Sequence, residues 1–157
     1  MGLLLVGAPP AQASLASLVC TLHMTLNVSP GVQLVEEFVQ SSSLDESLLA
    51  ACVGEVDGRA VDPAAGEVIS FNANSDEPVS CASAPFTGDG AVRLRLFDLD
   101  GDPLTVEASF SILVVTPTAV FVGELDGEGS FKPMEGDCVL DPITKVVLRI
   151  DGASIEV

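Results

Sequence analysis

From Leu18 to Val28 apolar and polar positions alternate. Leu18, Cys20, Leu22, Met24, Leu26 and Val28 fall on one side, and Val19, Thr21, His23, Thr25 and Asn27 on the other. Successive side chains of a strand project to opposite faces, so this period of two predicts a strand with one core face. Ser29-Pro30-Gly31-Val32 then carries the signal of a type II turn, with Pro second and Gly third. Residues 32–39 are expected to return as a second strand. The alternation recurs over Ala91–Asp98, where Val92, Leu94 and Leu96 oppose Arg93, Arg95 and Phe97. Asp100-Gly101 reads as the hairpin that follows, because both residues tolerate φ > 0, and Leu104–Val115 as the returning strand. Glu67–Asn72, Ala119–Leu125, Ile143–Ile150 and Ala153–Val157 read as further strands, the last two joined by a turn at Asp151-Gly152. Ser130–Met134 reads as short and irregular. Only Leu44–Ala51 has helical character, with Asp45 as a cap, and it is expected to form at most a short turn before the strand-like Cys52–Val56.

Short strands at this spacing, separated by Gly, Pro and Asp-Gly, predict an all-β, single-domain antiparallel β-sandwich, Greek-key or jelly-roll-like, with about nine or ten strands. The chain of 157 residues has the length of one domain, and its 48% hydrophobic content is enough for a packed core. It contains no Trp, so the immunoglobulin pattern of a Trp against a disulfide is absent. Ser154–Val157 ends the chain in a strand, either as an ordinary member of the sheet or as an edge open to another chain.

Charge is distributed unevenly. The first 35 residues carry none, which suits a central first strand, and the rest carry 23 acids against 6 bases for a net charge of −17. Nucleic acid and anionic membrane would repel such a surface. No apolar run is long enough for a transmembrane helix. An acidic exterior serves solubility or a face for a basic protein partner. Residues 1–13, MGLLLVGAPPAQA, resemble the end of a secretory signal, with an apolar run at Leu3–Val6 and a small-x-small cleavage site at Ala11-Gln12-Ala13. A single domain over residues 14–157 is then the exported form. Four cysteines, Cys20, Cys52, Cys81 and Cys138, lack any CxxC spacing, which disfavours zinc and favours two disulfides in an oxidising compartment. Of the three connectivities, Cys20–Cys52 with Cys81–Cys138 is favoured because sequential pairing staples each half.

Several features occur in a recognisable order. A Cys opens an alternating Thr-rich strand that ends in Ser-Pro-Gly (Cys20 to Gly31), and a second Cys follows a Ser-rich segment (Cys52). A third (Cys81) precedes a strand–Asp-Gly–strand hairpin (Ala91–Phe110). Val122-Gly123-Glu124-Leu125 and a Gly-x-x-Phe-x-x-x-x-Gly-Asp segment ending at Asp137 lead to the last Cys. In this order the chain resembles small secreted two-disulfide β-sandwich proteins of filamentous actinobacteria. The resemblance implies fold and export and carries no activity. The missing Trp in the hairpin and the acidic load depart from that pattern.

Candidate chemistry is sparse. Asp98, Asp100 and Asp102 surround an Asp-Gly turn and could offer calcium two or three oxygens, although the spacing is not that of an EF-hand. The bland reading is a hairpin tip with solvated carboxylates. A glycosidase-like carboxylate pair is easy to propose among 23 acids, but the sequence has no Trp or Tyr on which to stack a sugar. His23 is the only His, lies mid-strand, and is not accompanied by a Gly-x-Ser-x-Gly elbow. Gly-rich Gly88-Asp89-Gly90 and Gly123–Gly129 are acidic, which repels phosphate. The expectation is a non-catalytic secreted structural or interaction module with no cofactor. A calcium-dependent binding or adhesion domain comes second, and a small carboxylate-dependent hydrolase third.

Overall fold

The computed structural model describes residues 15–32, 34, 37–43, 49–81, 85–115, 117–138 and 140–157. The signal-like residues 1–13 and the first part, 44–48, of the stretch expected to have helical character lie outside them, and the rest of that stretch, 49–51, is strand. The first five strands are β1 (Ala16–Val32), β2 (Gln40–Ser43), β3 (Leu49–Val56), β4 (Arg59–Ala60) and β5 (Glu67–Ser75). The rest are β6 (Phe86–Phe97), β7 (Pro103–Val115), β8 (Thr118–Gly123), β9 (Leu125–Glu135) and β10 (Ile143–Glu156). All pairings are antiparallel, within one domain and without helix among the described residues, as the alternating pattern requires.

The strands form one sheet, and the sheet closes. Strands β5 to β10 pair in sequence as a meander, β10 pairs onward with β1, β1 with β2, and β2 with β5. The two layers of a sandwich are here the two sides of one continuous ring, β1-β2-β5-β6-β7-β8-β9-β10. On the side of β1 away from β10, Ala16–His23 pairs with β3 and Leu26–Ser29 with β2. The uncharged first strand is therefore bonded along both edges, which leaves it no exposed edge for a charge to protect.

Inward positions follow the alternation. Leu18, Leu22, Leu94 and Leu96 fill the end of the ring where β1 begins, each at most 2% exposed. Phe71, Phe110 and Phe121 meet at mid-height, with ring centroids 5.1–6.5 Å apart in one stacked and two edge-on pairs. Phe110 lies across from its register partner Gly90, where an added Cβ would come 2.8 Å from the ring. Cys20 and Cys52 are register partners on β1 and β3, both fully buried, and their disulfide lies inside the core.

Three local expectations are corrected. Ser29-Pro30-Gly31-Val32 does not turn back: the chain stays extended to Val32, which pairs with Ile143. Gly31 is needed for close approach, since a Cβ there would lie 2.7 Å from Pro142 Cβ and 2.8 Å from Thr144 Cγ2. Asp151-Gly152 is a bulge inside β10 and not a turn; β10 is held by neighbours on both sides, so the extra residues are absorbed with Gly152 at φ 67°. The chain's last strand is consequently interior, with Val157 and Ala16 exchanging backbone hydrogen bonds. Ser130–Met134 belongs to the eleven-residue β9, whose inward residues Gly127, Gly129 and Phe131 give too few apolar positions for a legible alternation.

Candidate functional site

The end of the ring where β1 finishes is not filled. Of its inward positions on β2, β5 and β6, Ser41, Ala73, Ser75 and Gly88 are small and only Phe86 is large, where the opposite end has leucines. A cavity of about 130 Å³ remains. Its base is formed by Leu26, Phe71 and Leu148, at most 4% exposed, which are also the top of the core. Val28, Ile112, Phe131 and Val146 line its walls and are half-buried. Among the described residues, only Ser41, Asn74 and Ser75 bring side-chain polar atoms to the lining, and the Ser75 hydroxyl accepts a hydrogen bond from the Val39 amide at 3.0 Å. None of the described residues that line it is charged. Barrels of about eight strands have an interior just wide enough to be packed or to hold one small ligand, and this one is packed at one end and hollow at the other.

The second disulfide lies at this open end. Cys81 lies between β5 and β6, and Cys138 between β9 and β10. Between those two junctions the ring has β6, β7, β8 and β9 on one side and β10, β1, β2 and β5 on the other. The bond, with Cα atoms 6.3 Å apart, thus ties two connections that leave the ring four strands apart. The strap leading to Cys81 is seated before it arrives. Val79 and Glu37 exchange two backbone hydrogen bonds at 2.7 and 3.1 Å, and Val79 and Ser80 are buried. None of these features has a local sequence motif; the only signal was the even count of cysteines.

Asp98, Asp100 and Asp102 lie at the other end, at the β6–β7 hairpin. Gly101 alone has positive φ, 88°, so the loop is Leu99-Asp100-Gly101 and not a two-residue Asp-Gly turn. Asp98 is turned inward, 6% exposed. Its Oδ1 accepts the amides of Asp100 and Asp102, both at 2.9 Å, and its Oδ2 accepts from Arg59 Nη2. Arg59 also stands 3.5 Å from Asp102. The Asp102 amide, and after it the Arg59 guanidinium and the Asp100 amide, hold the Asp98 carboxyl below its ordinary pKa against the opposing effect of burial. The bond from Asp98 chiefly raises that of Arg59. The guanidinium thus supplies the positive charge between these carboxylates, and no three acidic, His or Cys side chains among the described residues converge as a metal-ligand set.

A hydrolytic carboxyl acid needs a raised pKa, and Asp98 shifts the other way. His23 is exposed on the outer face of β1, opposite Arg149 on β10 and Leu49 on β3. Among the described residues no helix is long and apolar enough to cross a membrane. Two disulfides, with no free cysteine among the described residues, belong to an oxidising environment. Comparison of the chain with protein-family models, with curated proteins and with solved structures finds no match.

Proposed function

We propose that this chain is a non-catalytic extracellular binding module that holds a small apolar molecule in the hollow end of its barrel. The observation that carries this reading is the cavity itself. An otherwise close-packed interior leaves about 130 Å³ unfilled at one end, beside the second disulfide. A ligand that fills the space takes its apolar walls out of water. An apolar cavity of about 150 Å³ accommodates benzene. The signal-like sequence at 1–13 and the two disulfides support export. The calcium reading of Asp98, Asp100 and Asp102 would require Arg59 to leave its carboxylates.

The test is uptake of fluorobenzene, a neutral single ring of the size of the cavity, followed by its 19F resonance. The chain is expected to bind it at a one-to-one ratio. Ser41→Val, which places two methyl groups in the void, is expected to raise the melting temperature by a few degrees and to weaken fluorobenzene about tenfold or more. Absence of uptake by the folded chain would overturn the reading.

A further inference from the structure

The charge around the mouth names the class of ligand; this step rests on the binding reading above. The segments at the open end carry Glu37, Asp76, Glu77, Glu135, Asp137 and Asp141. All four arginines lie elsewhere: Arg59 beside Asp98, Arg95 on Glu67 and Arg149 on Asp151, with Arg93 on the lower half of β6. The bases toward the open end are two lysines. Lys145 is ion-paired with Glu135 at 3.1 Å, and Lys132 is exposed on β9, opposite Val147. Among the described residues the rim is therefore net negative, while the lining below it has no charge.

A ligand seated here places its apolar part among Val28, Ile112, Phe131 and Val146 and its other end at the rim. A carboxylate would lose water against apolar walls, find no basic side chain in the lining, and face acids. A protonated amine meets the opposite field and keeps its contact with water at the mouth. The cavity sets the length, a single ring or a chain of about six carbons. We infer that the barrel binds small hydrophobic cations, an apolar ring or short alkyl chain bearing one amine, in preference to neutral or acidic molecules of equal size.

The experiment is displacement of fluorobenzene, read by its 19F resonance, from the purified full chain at pH 7 by hexylamine, hexanol and hexanoate. Hexylamine is expected to compete about tenfold more strongly than hexanoate, with hexanol between them. The spread should narrow in 1 M NaCl, where screening shortens to about 3 Å. In the double variant Glu77→Gln, Asp141→Asn, the advantage of hexylamine is expected to shrink while hexanol is unaffected. Fluorobenzene uptake with equal competition by all three, or with hexanoate ahead, would overturn the cation preference and leave the binding reading standing. A preference for hexylamine undiminished by salt and by the double variant would also overturn it, since the rim would not be its source. A folded chain that takes up no fluorobenzene would defeat the binding reading itself.

Discussion

Asp98 shows how one residue's role depends on a partner outside its own segment. Its neighbours Asp100, Gly101 and Asp102 are visible as a turn signal, and two of its three hydrogen bonds go to their amides. The third comes from Arg59, 39 residues earlier in the chain, which no local pattern announces. That guanidinium occupies the oxygens of Asp98 and stands beside Asp102, so acids that looked like oxygen ligands form a capped hairpin. Because the folded state depresses the Asp98 pKa, its contribution is complete above the unfolded value, about 3.9, and is lost as pH falls through the lower folded value. Asp98→Asn is therefore expected to lower the melting temperature by several degrees at pH 7. The gap from the parent should close toward pH 2, as thermal melts across that range would show. A gap that stayed constant down to pH 2 would contradict the ion-paired role.

Among the elements, the disulfides do different work although both join segments of an even, unremarkable spacing. Cys20–Cys52 ties register partners that β1 and β3 already hold together in the core. Cys81–Cys138 ties two connections that leave the ring four strands apart at the open end. Replacing both cysteines of the second pair by Ser is expected to cost about 4 kcal/mol, from the chain entropy of a loop near sixty residues. Release of fluorobenzene, followed by 19F exchange, should also become several-fold faster, because the strap at the open end is then held only through Val79 and Glu37. The corresponding change at Cys20 and Cys52 is expected to lower stability by a similar amount, about 3–4 kcal/mol, without that kinetic effect beyond what the instability explains. Equal release rates in the two double variants would show that the strap does not gate the cavity. The long strands β1, β6 and β7 were the legible ones, since each is buried on one face along most of its length. Strand β9 was not, because glycines at its inward positions erase the apolar half of the pattern.

For the molecule as a whole, a net charge of −17 on one small barrel is largely unbalanced: the described residues contain five close ion-pair contacts, four of them made by arginines. Self-repulsion of that size opposes compaction and is screened by salt. Raising NaCl from about 0.01 M to 0.5 M, which shortens the Debye length several-fold, is expected to increase the melting temperature by a few degrees, measured by calorimetry or circular dichroism. An unchanged or lower value would show that the surface charges are already compensated. The sequence by itself determined the strand class, the inward faces of β1, β6 and β7, the oxidised cysteines and the acidic exterior, because alternation, composition and charge are properties of short stretches of chain. Tertiary structure alone decided that β10 returns to β1 and closes the sheet, that Asp151-Gly152 becomes a bulge, that Arg59 meets Asp98, and that small residues from β2, β5 and β6 gather at one end. Those outcomes depend on which distant strands become neighbours, and a cavity is the sum of side-chain volumes across a ring, which no single stretch of sequence contains.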